Sequence, residues 1–159
     1  SSLGAKGEDD YKLKVGMTSD EIEWRLNEAL KEIPEAISIN NHQGSKATTD
    51  GKVMGVVASV LKQKNKIFLD SRTSSKTVGE KTMRTYGVPT ARRHVFLDND
   101  LDIDKISQQL EKLVKVSKKN GIAIGIGHVK PNTLKVLKEE IPKLSDKGYE
   151  FKFLSQVVN

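Results

Sequence analysis

The sequence contains no cysteine, and only 5% of its 159 residues are aromatic. Without cysteine, neither a disulfide framework nor a thiolate metal site can form, so any bound metal must use histidine and carboxylate ligands. No run of apolar residues approaches the roughly 20 that a membrane-spanning helix needs, and residues 1–7 lack the apolar segment of a signal peptide. We therefore expect no membrane span.

Positive charge is in moderate excess but is not concentrated in one segment. The chain has 27 Lys and Arg against 21 Asp and Glu, a net charge of +6, and most of the cations are lysines spread along the sequence. Scattered lysines are typical of a solvated surface, and the scarcity of aromatic rings leaves few platforms on which bases could stack. We therefore expect no nucleic-acid partner.

Length and composition bound the number of domains. A chain of 159 residues with 36% hydrophobic content can bury one core but not two. Residues 1–17 are polar and glycine-rich with little apolar periodicity, which predicts a loop or flexible arm. Residues 18–159 are expected to form a single α/β domain.

Short apolar strands alternate with helical patterns through this domain. A capping box at Thr18–Glu21 starts the first helix, which Pro34 ends. Further helices are expected from about Thr49-Asp50, over Lys76–Tyr86, from Asp102 to Asn120-Gly121, and over Asn132–Ile141. Strands are expected at Ala36–Asn40, Ile67–Asp70, His94–Leu97, Ile122–Gly127 and Tyr149–Phe153. This alternation predicts repeated βα units with a parallel sheet, either a small open sheet or the greater part of a distorted (β/α) barrel.

Polar residues follow four of the predicted strands, at positions 40–45, 70–73, 98–100 and 128. The carboxyl ends of parallel strands meet at one edge of a sheet, so polar groups at successive strand ends converge on one pocket. We therefore expect His42, Asp70 and His128 side by side at that edge. His94, at the beginning of a strand, should lie away from it.

Each residue type at this edge suits a ligand, and each also has a structural interpretation. His42 lies on a tight polar loop, where an imidazole can approach a ligand or simply be exposed. Asp70 can bind metal or orient a histidine and Arg72 can hold an anion, but the two could equally form a structural pair that closes the loop. Asp98 can bind a hard cation or sugar hydroxyls, whereas Asp100 is more typical of helix capping.

Three segments, in order along the chain, carry a resemblance to a known family. They read SINNHQGSKAT, KIFLDSRTSSKTVGEKTMRTYGVPTARRHVFLDND and GIAIGIGHVKPNTLKVLKEEIP. Together they resemble the divergent polysaccharide deacetylases, a distant branch of the NodB-type carbohydrate esterases, over residues 18–158. The resemblance implies a distorted (β/α) barrel, secreted or associated with the cell envelope. It also implies hydrolysis of N-acetyl groups on a cell-wall or extracellular polysaccharide with a divalent metal, expected to be zinc.

The resemblance implies roles for individual residues as well. His42, in the NNHQGS loop, matches a metal ligand, and His128, in the IGH element, matches the imidazole that protonates the leaving amine. Asp70, in the FLDSRT element, is expected to be the second catalytic residue. The residues expected to bind substrate are Asn41, Ser45, Arg72 and Asp98.

One part of the family pattern is missing from this sequence. Family members begin with a buried strand that ends in an Asp-Asp pair, followed by a strand that ends in histidine, and these supply the base and part of the metal site. Asp9-Asp10 follows Lys6-Gly7-Glu8, which is no buried strand. The chain is therefore expected to resemble the C-terminal two thirds of the domain, to lack its first strands and to be an impaired deacetylase.

The same residues allow two alternative functions and also predict self-association of the chain. A non-catalytic carbohydrate- or wall-binding domain could keep the polar edge without the base. A phosphate or nucleotide binder is disfavoured, because no Gly-x-Gly-x-x-Gly loop opens a helix after a strand. If the first strands are absent, the sheet edge beside Ile37–Ile39 is uncovered, which favours self-association.

Overall fold

The computed structural model of the protein describes residues 11–42 and 45–158. The helices within these ranges are α1 (Ser19–Glu32), α2 (Gly51–Gln63), α3 (Gly79–Tyr86), α4 (Ile103–Asn120) and α5 (Pro131–Asp146). The strands are β1 (Ser38–Asn40), β2 (Ile67–Asp70), β3 (Thr90–Arg92), β4 (Val95–Phe96) and β5 (Gly125–Ile126). Helices and strands alternate along most of the chain, which confirms the predicted α/β fold of repeated βα units.

Side-chain caps explain where three of the helices begin. Thr18 Oγ1 accepts a hydrogen bond from the Glu21 amide at 3.2 Å, and the Glu21 carboxylate accepts one from the Thr18 amide at 2.8 Å, which is the predicted capping box of α1. Asp50 and Asp102 accept backbone amides in the first turns of α2 and α4. Gly121, at φ 78°, ends α4 in the left-handed conformation that favours glycine. These predicted helix boundaries are confirmed.

The strands form two parallel sheets. In the first sheet β2 lies between β1 and β3, and Phe68 of β2 is opposite Thr90 of β3. In the second sheet β4 pairs with β5, and Phe96 is opposite Ile126. Because the pairing is parallel, the carboxyl ends of neighbouring strands lie at the same edge of each sheet.

The chain divides into two compact units. The first unit comprises Ser1–Arg92 with Val158–Asn159, and the second comprises Arg93–Val157. Each has its own cluster of buried apolar side chains. The best-buried members are Ile22, Val53, Ala58, Leu61 and Met83 in the first unit, and Val95, Ile106, Leu110 and Val136 in the second. The single domain over residues 18–159 stays a prediction.

The predicted arm at the start of the chain falls partly outside the described residues. Residues 1–10 lie outside them, and residues 12–17 contain neither helix nor strand. In the ranges that the structure describes, no helix is both long enough and apolar enough to cross a bilayer.

The strand predicted at Tyr149–Phe153 is wrong, and one real strand was not predicted. Residues 149–153 form neither helix nor strand, and a short 3₁₀ turn, Leu154–Gln156, follows them. Alternating aromatic residues favour a strand, but a strand also needs a partner to pair with, and no described strand pairs with this segment. The unpredicted strand is β3, where the Thr90 hydroxyl donates to the Phe68 carbonyl at 2.9 Å beside the backbone pairing.

Two helices differ from their predicted bounds. The helix predicted from Lys76 begins only at Gly79, because the Val78 amide donates to the Thr48 carbonyl at 2.8 Å and the Thr77 hydroxyl donates to Asp70. The helix predicted to end at Ile141 runs to Asp146 and includes Pro142.

Candidate functional site

The register of the second sheet brings Asp98 and His128 together. Phe96 and Ile126 are paired at the carboxyl ends of β4 and β5, and each candidate lies two residues further along its strand. The His128 amide donates to Asp98 Oδ2 at 2.6 Å, and His128 Nδ1 lies 3.1 Å from Asp98 Oδ1. The carboxylate therefore holds both the backbone and the ring of the histidine.

Asp98 is buried and its charge is stabilised by hydrogen bonds. Asp98 is 4% exposed. Its carboxylate accepts a third hydrogen bond from the hydroxyl of Thr133, which lies 2.8 Å from Oδ2. Burial raises the pKa of Asp98, but the hydrogen bonds from Thr133 and from the amide and ring of His128 lower it more. The pKa of Asp98 therefore lies below its ordinary value of 3.8.

His128 is held on one side and meets solvent on the other. Its side chain is 44% exposed, while its ring centroid lies 5.4 Å from that of Phe96 at an interplanar angle of 43°. A Cβ atom on Gly127 would lie 3.1 Å from Thr133 Cγ2 and 3.5 Å from Asp98 Oδ2, so glycine allows the close approach of these groups. A buried carboxylate on Nδ1 favours the tautomer in which Nε2 exchanges protons with a ligand.

Asp70, the other predicted catalytic residue, lies at the end of β2 in the first unit and is fully buried. Its Oδ1 accepts the Arg72 amide at 2.9 Å, and its Oδ2 accepts the Thr77 hydroxyl at 2.9 Å and the Glu80 amide at 3.1 Å. These contacts close the loop after β2 and hold the first turn of α3. The geometry therefore supports a structural role for this carboxylate, with the backbone of Arg72 as its partner.

Arg72 itself has a strained backbone. Its φ of 48° is in the left-handed region, which costs energy for a residue other than glycine. The hydrogen bond from its amide to Asp70 stabilises this conformation. The half-buried side chain of Arg72 is thus carried by a fixed turn directly after β2.

Asn41 connects the ends of β1 and β2. Its Oδ1 accepts the Ser71 amide at 2.8 Å, and its Nδ2 donates to the Thr73 hydroxyl at 3.1 Å. Asn41, His42 and Ser45 line one cavity in the first unit, and residues 43 and 44 between them lie outside the described residues. These three predicted site residues are therefore neighbours.

The structure thus brings Asn41, His42 and Ser45 together on one cavity, joins Asp70 to the backbone of Arg72, and joins Asp98 to His128. The prediction that His42 and Asp70 share an edge with His128 joins residues of different units and stays a prediction. His94 lies before β4, at the amino end of the second sheet, and its Nδ1 accepts the Ile124 amide at 3.0 Å. Asp100 accepts the Asp102 amide at 3.0 Å in an Asx turn directly before α4, whose cap is Asp102.

The described residues do not fit a complete metal site. In residues 11–42 and 45–158, no three histidine, aspartate or glutamate side chains come close enough together to share an ion. Protein zinc sites normally have three or four protein ligands. His42 alone is insufficient, and Asp70 already accepts three hydrogen bonds.

Thr133 is a site residue that the sequence did not reveal. It lies in the first turn of α5, which begins at Pro131, and its hydroxyl reaches back to Asp98. Its position in the sequence could have indicated this role, because Thr133 lies in the first turn of a helix that follows a strand end, and side chains of such a turn can contact the edge of the sheet.

The family profile of the divergent polysaccharide deacetylases matches residues 2–158 of this chain. An uncharacterized protein of Haemophilus influenzae Rd is 36% identical over 138 residues, which are 87% of this chain and 49% of that protein. The uncharacterized protein YibQ of Escherichia coli K12 is 36% identical over 132 residues, which are 83% of this chain and 41% of that protein.

A solved structure shares the fold. The crystal structure of an uncharacterized protein from Agrobacterium tumefaciens C58 is similar with a TM-score of 0.91 and 19% sequence identity, over 98% of this chain and 64% of that one. The chain thus spans about half the length of the curated relatives it matches and less than two thirds of the solved chain.

Proposed function

Because the chain belongs to the divergent polysaccharide deacetylase family, we propose that it supplies the proton-donating part of a site that hydrolyses N-acetyl groups on a cell-wall or extracellular polysaccharide. The observation that carries this proposal is the pair formed by the buried Asp98 and the half-exposed His128. The chain spans about half the length of its curated relatives. The activity and the substrate of a full-length protein of this family are therefore proposals for this chain.

The pair suits the last step of amide hydrolysis. Hydrolysis joins the water oxygen to the acetyl carbon, breaks the carbon–nitrogen bond and requires a proton on the departing sugar nitrogen. When His128 is protonated at Nε2, it would deliver that proton to the nitrogen, while its Nδ1–H remains hydrogen-bonded to the Asp98 carboxylate. The carboxylate stabilises the imidazolium and fixes the ring, and Thr133 fixes the carboxylate.

Activation of the water is the weaker part of the site. Asp70 is fully buried and accepts three hydrogen bonds, which leaves it poorly suited to take a proton from water. Dependence on a divalent cation, expected to be zinc with His42 as one ligand, belongs to the proposal. We therefore expect slow or absent turnover by these 159 residues.

The other predicted residues are proposed to bind the sugar. Asn41 and Ser45 line the cavity beside His42, and the fixed turn at Arg72 carries a guanidinium that can hold an oxyanion. Asp98 fits a positioning role better than the predicted contact with substrate, because its carboxylate is buried against Thr133 and His128. A secreted or envelope location, and the absence of a nucleic-acid partner, belong to the same proposal.

A non-catalytic carbohydrate- or wall-binding domain is the second candidate function. The observation that favours it is that the described residues supply a paired histidine but no cluster of three metal-binding side chains. Such a domain would bind the same oligosaccharides and release no acetate.

The test measures acetate release and binding together. The 159-residue chain is mixed with acetylated chito-oligosaccharides and peptidoglycan oligosaccharides, with and without zinc. We expect binding with little or no acetate. Robust turnover that His128→Ala abolishes would support His128 as the general acid and contradict the expectation that the deacetylase is impaired. Turnover that neither His128→Ala nor His42→Ala changes would overturn the assignment of the site residues, and so would a lack of oligosaccharide binding.

Self-association is proposed on the edge of the first sheet. Among the described strands, β1 pairs only with β2, and Ile37, just before it, is 56% exposed. An open strand edge beside an apolar side chain can pair with another copy. Sedimentation should show concentration-dependent association that Ile37→Lys weakens, and a monomer at all concentrations would contradict this.

A further inference from the structure

One segment of the second unit is fixed at both ends but has no backbone partner in between. Residues 149–153, which read Tyr-Glu-Phe-Lys-Phe, contain no helix, turn, bend or paired strand. The Tyr149 amide donates to the Leu144 carbonyl at 3.1 Å, and the Phe153 amide donates to Gln156 Oε1 at 2.9 Å. In the part of the chain that the structure describes, no hydrogen bond reaches the backbone of the three residues between them.

The side chains of this segment alternate between two faces. Lys152 Nζ lies 2.7 Å from Glu150 Oε2, and an ion pair between residues two positions apart fits an extended chain, where such side chains share a face. Tyr149, Phe151 and Phe153 then lie on the opposite face. Phe151 is 48% exposed and Phe153 is 79% exposed. The segment therefore has the alternation of a strand and presents aromatic rings to water, but it has no strand beside it.

The unpaired backbone groups lie along one edge of the segment. In an extended chain the N–H and C=O groups of alternate residues point to opposite edges. The amides of Tyr149 and Phe153 bind groups of the chain itself, so they mark the inner edge. The N–H and C=O groups of Glu150 and Lys152 therefore point to the outer edge, where another strand can pair with them.

We propose that this edge pairs with the same segment of a second copy of the chain, as an antiparallel ribbon with its two-fold axis at Phe151. The sequence is self-complementary in this register. Glu150 of each copy lies opposite Lys152 of the other, so the four charges alternate in sign. Tyr149 lies opposite Phe153, and the two Phe151 rings meet at the axis. Cross-strand pairs of opposite charge and of aromatic rings both stabilise such a ribbon.

Charge selects this register over the parallel one. A parallel pairing in register would place Glu150 against Glu150 and Lys152 against Lys152, and like charges opposite each other are unfavourable. The antiparallel pairing uses the free N–H and C=O groups of both residues and leaves the bonds of the inner edge intact. A two-fold contact also closes on itself, so it yields a dimer. Because the ribbon is short, we expect a weak one.

The first experiment is sedimentation over a range of concentrations. Every chain in it also carries Ile37→Lys, which weakens the association proposed at the first sheet. We expect a monomer–dimer equilibrium. Glu150→Lys alone and Lys152→Glu alone should each weaken the dimer about tenfold, because both cross-strand ion pairs become repulsions. An equal mixture of these two variants should recover the original affinity, since two positive charges of one copy then lie opposite two negative charges of the other.

Matched charge changes elsewhere on the second unit are the control. Glu139→Lys and Lys138→Glu alter exposed positions of α5, and each should leave the dimer unchanged. Equal weakening by control and test variants, no recovery on mixing, or a monomer at all concentrations would overturn the proposal. Loss of the ribbon would leave the proposed hydrolysis untouched, because that depends on Asp98 and His128.

The second experiment tests the position of the two-fold axis by cross-linking, because the chain has no cysteine of its own. Phe151→Cys should form a disulfide between copies readily on mild oxidation. The two copies of Phe153→Cys would lie about 14 Å apart in this register, beyond the roughly 7 Å between Cα atoms that a disulfide spans. They should cross-link more slowly, although Phe153 is the more exposed residue. Equal or faster cross-linking of Phe153→Cys would overturn the proposed pairing.

Discussion

His128 Nδ1 lies 3.1 Å from Asp98 Oδ1, and the same carboxylate accepts the backbone amide of His128 at 2.6 Å. One of these side chains is buried and charged, and the other is 44% exposed. The buried group therefore sets the orientation and the tautomer of the exposed one. This division of roles makes the pair suitable for proton transfer to a ligand that approaches from solvent.

Replacing Asp98 by asparagine should destabilise the fold. Asparagine keeps the shape but places an amide group against the donors of Thr133 and His128, and an unsatisfied buried polar group costs about 1–3 kcal/mol. Urea unfolding should show a loss of this size. Asp146→Asn, at an exposed position of α5, is the matched control and should change little, and equal stabilities for the two variants would contradict the role of the buried carboxylate.

Stability should fall in acid partly because of Asp98. Its pKa is lower in the folded chain than the ordinary value of 3.8, so its contribution is complete above that value and is lost as the pH falls through the lower, folded pKa. The difference in unfolding free energy between the unchanged chain and Asp98→Asn should therefore shrink toward low pH. If the unfolding free energies of the two proteins changed in parallel with pH, a stabilising contribution from the charged, hydrogen-bonded Asp98 would be contradicted.

Gly79→Ala should destabilise the first unit. A Cβ atom at this position would lie 2.7 Å from Asp70 Oδ2 and 3.1 Å from Phe68 Cε1, and overpacking of this kind costs about 1–3 kcal/mol. Gly51→Ala is the control, since that helical glycine has nothing within 4 Å of its Cβ position. Thermal unfolding should separate the two variants, and equal melting temperatures would show that the loop around Asp70 adjusts freely.

Zinc should bind weakly and be removed easily by a chelator. His42 and one carboxylate are fewer than the three protein ligands that zinc sites normally use, and the described residues contain no group of three. Calorimetry should show weak binding that His42→Ala reduces further. Tight binding of one zinc per chain, retained in His42→Ala, would contradict this expectation and place the metal elsewhere.

The sequence predicts local features of this fold better than long-range ones. The caps at Thr18, Asp50 and Asp102 depend on residues a few positions away, so the pattern alone locates them. The strand β3 depends on pairing with β2, and the apolar pattern of residues 149–153 has no described strand to pair with. Strand pairing is set by contacts between distant segments, which a local pattern does not contain.

The candidate site shows the same limit. Asp98 and His128 each follow a predicted strand, and that position singled them out as candidates. Their direct contact across 30 residues depends on the register of β4 with β5, and the third partner, Thr133, comes from a helix turn. For Asp70, the strand-end position predicted a catalytic group, whereas its three hydrogen bonds to the loop and α3 support a structural one.

The most direct test of His128 as the general acid is to add an acetylated chito-oligosaccharide to the protein in steps and to follow the histidine ring nitrogens by nitrogen-15 NMR. His94 is an internal control, because its ring accepts the Ile124 amide at the amino end of the second sheet. We predict that the saccharide shifts the Nε2 signal of His128 and leaves the signals of His94 unchanged, with Nδ1 of His128 protonated throughout. No change at His128, or equal changes at both histidines, would contradict the account.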